Sequence, residues 1–118
     1  MLVKVCASAT HGVDAQTMDV EVNSGAEIPA GKLGYFLVGL PDNAVKEGYM
    51  RIEAAAKNSG MKLPRIRMTV NLAPADIRKE GAAYDLPIAI GMLAATGFIR
   101  KDLLDKYIIL GELSLDGA

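Results

Sequence analysis

The chain has 118 residues, 51% hydrophobic and 23% charged, which makes one domain able to bury roughly two-thirds of its unfolded surface. A net charge of -1 excludes a global pull toward nucleic acid or anionic membrane, so either partner needs a local patch. One cysteine, Cys6, and one histidine, His11, exclude an internal disulfide and a Cys/His metal cage.

Lys4-Val-Cys-Ala-Ser8 alternates as a strand does, and Thr17 to Asn23 alternates more cleanly, with Met18, Val20 and Val22 on one face. His11 to Ala15 reads as a hairpin-like link, with His11 a turn residue. Ser24 to Lys32, rich in Gly and broken by Pro29, reads as a mobile loop. Tyr35 to Leu40 is continuously apolar, the pattern of a central strand buried on both faces. Pro41 stops it and Asp42 is placed to cap a helix from Asn43 to Ser59. On that helix Val45, Tyr49, Ile52 and Ala56 form the inner stripe, and Glu47–Arg51 and Glu53–Lys57 form pairs on the wet side.

Gly60 ends the helix, and Ile66, Met68, Val70 and Leu72 then alternate with Arg67, Thr69 and Asn71 as the inner and outer faces of a strand. Arg65 joins that outer face. Pro74 ends the strand. A loop from Ala75 to Ala83 leads to a helix from about Asp85 to Thr96, apolar on nearly all sides and therefore a core helix. Pro87 is tolerated in its first turn, Asp85 suits its N-cap, and Gly91 lets another backbone come close. Lys101 to Asp105 is a helical turn, and Tyr107 to Leu110 a further strand. The order predicts an α+β fold, a two-layer sandwich of a mixed β-sheet and two helices. The apolar run Leu86 to Ile99, about 14 residues, is too short to cross a bilayer. With no basic leader, a cytoplasmic protein without membrane contact is expected.

Several motifs are more specific than this pattern. They are Val38-Gly-Leu-Pro-Asp42, Ala73-Pro-Ala-Asp-Ile-Arg-Lys-Glu-Gly81, Tyr84-Asp-Leu-Pro87 and Gly111-Glu-Leu-Ser-Leu-Asp-Gly117. Through them essentially the whole chain resembles the N-terminal, Lon-protease-like domain of the magnesium-chelatase-like AAA ATPases of the ComM type. The resemblance implies the two-layer fold shared by the Lon proteolytic domain, kinases of the galactokinase group and one domain of a small-subunit ribosomal protein. It also marks Gly39, Pro41, Asp42, Asp85, Pro87, Gly111, Glu112 and Gly117 as structural motif residues. Gly48, where the family usually has serine, and Ala82, where a small hydroxylated residue is common, depart from the pattern.

The Lon run Lys-Asp-Gly-Pro-Ser-Ala-Gly is matched here by Lys79-Glu80-Gly81-Ala82-Ala83-Tyr84, with Ala83 at the nucleophile's place. A methyl cannot attack a carbonyl, so no catalytic residue is assigned. Ser114 has no activating histidine, and Glu80 and Asp85 suit structural jobs near a helix start. Arg78, Lys79 and Gly81, beside a helix N-terminus, form a possible anion site. Lys57, Lys62, Arg65 and Arg67, with no acidic residue between Lys57 and Arg67, form a possible nucleic-acid patch. No Gly-x-x-x-x-Gly-Lys-Ser/Thr run occurs.

The resemblance therefore implies no cofactor in this chain, with ATP and magnesium belonging to an AAA ATPase module that follows in the family. It implies a hexameric DNA motor for the parent protein, acting in transformation and recombination. Residues 1–118 are then a front domain lacking its last strand and helix, expected to self-associate near Tyr107 to Leu115. The function expected is ring assembly or DNA contact. The alternative is a peptidase-like or small-molecule-binding domain that keeps the fold's cleft.

Overall fold

The computed structural model describes residues 1–11, 14–29 and 34–118. Among these described residues four strands form one mixed sheet in the order β1-β2-β4-β3. They are β1 (Leu2–His11), β2 (Asp14–Glu27), β3 (Tyr35–Val38) and β4 (Ile66–Ala73). β1 and β2, and then β2 and β4, pair antiparallel, while β3 runs parallel to β4. The parallel pair needs a crossover, and helix α1 (Asn43–Asn58) supplies it. Helix α2 (Asp85–Ala95) follows β4.

The period-two pattern of the strands decides which face the helices cover. Val3, Val5 and Ala7 of β1, Met18, Val20 and Val22 of β2, and Met68, Val70 and Leu72 of β4 are all buried. Val45 and Ile52 of α1 and Ile88 and Met92 of α2 complete this core. Each fully buried aliphatic side chain contributes about 1.5–3 kcal/mol relative to exposure. The two-layer α+β architecture is the one the sequence predicts.

α1 starts where expected: the Asp42 carboxylate accepts from the Val45 amide at 2.9 Å. Its buried stripe holds Val45, Ile52 and Ala56, with Tyr49 half-buried beside them. α2 is buried along most of its length and closes at Thr96 and Gly97. Gly91 serves a side-chain contact rather than a backbone one. A Cβ there would lie 2.6 Å from Val22 Cγ2, so glycine lets α2 settle onto β2.

Several readings of the strands and loops need correction. β3 is an edge strand, not a central one, and Phe36 and Val38 on its outer side are exposed. Its apolar run reflects one buried face and one exposed one. The loop assigned from Ser24 begins later, because β2 continues to Glu27 with a register shift between Ser24 and Glu27. The last part of the expected mobile loop, residues 30–32, lies outside the described residues. His11 belongs to β1, paired with Asp14, and the rest of the link, residues 12 and 13, also lies outside them. Tyr107 to Leu110 forms no strand. It meets the outer edge of β1 only through a single parallel bridge, Cys6 to Ile108, with the Ile109 amide donating to the Cys6 carbonyl at 2.8 Å. Ser114 lies beyond any strand, its hydroxyl donating to Asp116 at 2.6 Å.

Candidate functional site

Most of the motif residues, Gly39, Pro41, Asp42, Asp85, Pro87 and Gly111 among them, lie where β3 leaves the sheet and α2 begins. At Gly39, φ is +110° and a Cβ would run into the Leu72 carbonyl, so only glycine lets the chain turn this close to β4. Leu40 follows with φ +58°, an uncommon conformation for a side-chain-bearing residue. Pro41 then lies beside Lys79 in a short parallel bridge. Here the Lys79 amide donates to the Leu40 carbonyl at 3.0 Å and the Asp42 amide to the Lys79 carbonyl at 2.9 Å. The Asp42 carboxylate works twice, capping α1 and accepting from the Gly81 amide at 3.2 Å.

Lys79 has 0% of its surface exposed. Its ammonium donates to the carbonyls of Gly39 at 2.7 Å, Leu72 at 2.8 Å and Pro74. All three N–H donors are thereby committed. Burial pulls this ammonium below its ordinary pKa, with nearby Asp76 opposing. The anion site expected from Arg78, Lys79 and Gly81 is accordingly not assembled: Lys79 faces inward and Arg78 pairs with Glu80 at 3.2 Å on the surface. Gly81 is half-buried and gives its amide to Asp42.

Asp85, 1% exposed, stands at the other side of this hub. It does not cap α2, whose N-cap is Tyr84. Its carboxylate takes a two-point contact from Arg51 of α1, Nε at 2.6 Å and Nη2 at 2.9 Å, and also accepts from the Leu113 amide at 3.2 Å. Arg51 is thus turned inward instead of lying on the wet face. Its approach to Glu47 is only 4.0 Å. The hydrogen bond to Asp85 raises the guanidinium's already high pKa. Gly48 makes the room, since a Cβ there would lie 2.6 Å from Asp85 Oδ1.

Ala83, at the nucleophile's place, is exposed in the 3-10 turn Ala82–Tyr84 that feeds α2. Gly111 clasps this turn: its amide donates to the Ala83 carbonyl at 2.9 Å and its carbonyl accepts from the Leu86 amide at 2.9 Å. Pro87 is buried in the first turn of α2 and Glu112 is exposed. Gly117, with φ +94°, donates to the Ser114 carbonyl at 3.0 Å. Among the described residues no group of three or more His, Cys, Asp or Glu gathers as metal ligands, and no helix is long and apolar enough to cross a membrane.

The second region is a cleft of about 610 Å³ between α1, the start of β3 and the segment before β4. Lys57, Lys62 and Arg65 line it, together with Glu53, Tyr35 and Tyr49. The two tyrosine rings stack with centroids 4.4 Å apart at 29°, and the Tyr49 hydroxyl donates to Glu53 at 2.9 Å. Burial, then Glu53, pushes the Tyr49 phenol up to about 12. Burial likewise raises Tyr35, whose hydroxyl has no partner among the described residues. The four cations expected as one patch divide. Arg65 precedes β4 and turns to the cleft, whereas Arg67 lies in β4 with its guanidinium 4.6 Å from the Phe36 ring centroid.

Three features escaped the sequence reading: the Arg51–Asp85 pair, the enclosure of Lys79, and the tyrosine-lined cleft. The signal for the first was an aspartate entering a helix otherwise apolar all round, facing a glycine on the neighbouring helix. Lys79 gave none, because an exposed and an enclosed lysine read alike in a polar loop. Tyr49 fits the core stripe by its spacing, and its stacking on Tyr35 of β3 is a tertiary contact that spacing does not carry.

Residues 20–118 match the family model described as subunit ChlI of Mg-chelatase. The chain is 46% identical over 110 residues to the Escherichia coli protein YifB, covering 93% of this chain and 21% of that protein. It is 44% identical over 113 residues to the competence protein ComM of Haemophilus influenzae, covering 96% of this chain and 21% of that protein. A protein of Mycobacterium tuberculosis is 39% identical over 109 residues, covering 92% of this chain and again 21% of the relative. The chain thus spans about a fifth of the length of these relatives. Sequence model and relatives agree, and the chain belongs to the magnesium-chelatase-like ChlI family, in its ComM type.

Proposed function

We propose that this chain is a non-catalytic front domain of a ComM-type ATPase in the cytoplasm, and that it holds nucleic acid for a motor carried elsewhere in the protein. The parent is read as a hexameric ATPase that moves branched DNA during transformation and recombination, in keeping with a relative named a competence protein. The observation that carries the DNA reading is the gathering of Lys57, Lys62 and Arg65 around one cleft, with Arg67 on the adjoining strand. Among the described residues none of these four makes an ion pair.

The non-catalytic reading rests on Ala83 and on the fixed partners of the polar groups around it. Lys79 and Asp85, the buried ionisable groups nearest that turn, are held by carbonyls and by Arg51. The absence of a Gly-x-x-x-x-Gly-Lys-Ser/Thr run from the sequence supports placing nucleotide binding elsewhere in the protein. ATP and its magnesium are assigned to the family's ATPase module. A second role, self-association in the ring, is favoured by the exposed side chains of Tyr107, Ile108, Leu110 and Leu115.

A salt titration of DNA affinity tests the reading. Binding should be weak and insensitive to sequence, and alanine at Lys57, Lys62 and Arg65 should flatten the salt slope by about 0.9 units per lost duplex phosphate contact. The same affinity and slope in wild type and triple variant would sink it, as would peptide hydrolysis by the purified chain.

A further inference from the structure

We infer that the cleft receives one unstacked nucleotide unit of a single strand, its base between the apolar walls and its phosphate at the cationic rim. The inference deepens the proposed nucleic-acid contact and rests on it. The cleft's volume of about 610 Å³ lies within the ordinary range for small-ligand sites and far exceeds what a bare phosphate needs. Its walls divide by chemistry. Ile28, Leu63 and Ile66, each half-buried, offer apolar contact beside the stacked Tyr35–Tyr49 pair, while Lys57, Lys62 and Arg65 stand around them.

Glu53, the acidic lining residue, is engaged by the Tyr49 hydroxyl. The three cations, exposed and without ion pairs among the described residues, leave a positive rim over an aromatic floor. That combination suits an aromatic anion, and base–aromatic stacking with a basic groove is how single strands are held without sequence preference.

A polymer is favoured over a free nucleotide by what lies next along the strands. One residue beyond Ile66 on β4 and beyond Tyr35 on β3, and so on the opposite face of the sheet, stands the Arg67–Phe36 pair, with the guanidinium 4.6 Å from the ring centroid. A single strand that leaves the cleft across the β3 edge therefore meets a second cation and a second planar group on the outer face of the sheet. An acidic peptide would meet the same charge but gain nothing from the rings. A paired base cannot enter the cleft, so duplex ends at the rim.

The chain has no tryptophan, and two of its four tyrosines, Tyr35 and Tyr49, form the floor of the cleft, so in a Tyr84→Phe, Tyr107→Phe background tyrosine emission reports on that floor. The test titrates the chain with labelled oligothymidylate, an abasic strand of equal length, a blunt duplex, thymidine monophosphate and polyglutamate. Oligothymidylate should quench tyrosine emission and bind roughly tenfold tighter than the abasic strand, the scale of one base–aromatic stack. The Lys62→Ala, Arg65→Ala variant should lower the single-strand salt slope by about 1.4 units. Tyr49→Leu should erase the gap between ordinary and abasic strands. Should that variant fold poorly, the abasic strand makes the same comparison on the unaltered protein.

Quenching by thymidine monophosphate with no gain on lengthening overturns the single-strand inference and leaves a site for the free nucleotide. Equal affinity for ordinary and abasic strands, or equal competition by polyglutamate, overturns the inference. Equal binding of duplex, still dependent on Lys62 and Arg65, also overturns it while leaving the proposed DNA contact standing. Failure of every ligand removes both.

Discussion

Two regions of this molecule carry buried or clustered charge, and they treat it in opposite ways. At the hub where β3, the 73–81 segment and α2 meet, each buried charge has a fixed partner. Lys79 faces three carbonyls and Asp85 faces Arg51 and the Leu113 amide. At the cleft under α1, Lys57, Lys62 and Arg65 are exposed and make no ion pair among the described residues. Charge removed from water must be compensated or it destabilises the fold, whereas charge left in water is available to a ligand. The motif residues that identify the family therefore lie mainly in the hub, which builds the domain. The cleft is where binding is proposed.

Substitution should separate the two regions by magnitude. The largest loss is expected from Lys79→Ala, which leaves a cavity and strands the Gly39, Leu72 and Pro74 carbonyls. Unsatisfied buried groups cost about 1–3 kcal/mol each, and relaxation offsets part of that. A fall of about 4 kcal/mol in urea unfolding is expected. A loss below 1 kcal/mol would mean that water replaces the ammonium freely and that the hub is not closed.

Asp85→Ala should cost somewhat less, about 3 kcal/mol, because Arg51 keeps partial access to water and its contact with the Ala44 carbonyl. Replacing both partners, as Arg51→Met with Asp85→Leu, should recover much of that loss, since the desolvation cost leaves with the charges. A double variant no more stable than Asp85→Ala would show that the carboxylate matters mainly for the Leu113 amide.

The contrast between the regions also explains what the sequence could show. Strand alternation at Met18–Val22 and Ile66–Leu72, the Asp42 cap and the apolar α2 depend on local spacing, and all of these elements form as read. Tyr35 to Leu40 misled because a short apolar run reads the same in a central strand and in an edge strand with one exposed apolar face. Tyr107 to Leu110 misled because β propensity cannot supply a ladder, and only Ile108 finds a bridge to β1. The Arg51 assignment failed through competition. A glutamate four residues away predicted a surface pair, but Asp85, 34 residues distant, offers a two-point contact in a drier place. The motif letters located the hub, while the enclosure of Lys79 depends on three carbonyls brought together by the fold.

The smallest effect is expected at the cleft, and it is the sharpest test of the comparison. Lys62→Ala with Arg65→Ala removes two exposed cations that hold no carboxylate among the described residues. Surface substitutions of this kind usually stay within about 0.5 kcal/mol. The sign should lean toward stabilisation at low salt, because Lys57, Lys62 and Arg65 line one cleft and repel one another. Salt screens that repulsion over roughly 10 Å at 0.1 M, so added salt should raise the wild-type melting temperature more than the variant's. Thermal unfolding of both proteins at low and high salt makes the measurement. If the variant instead melts several degrees lower at every salt concentration, the cleft's cations are holding the fold together as those of the hub do.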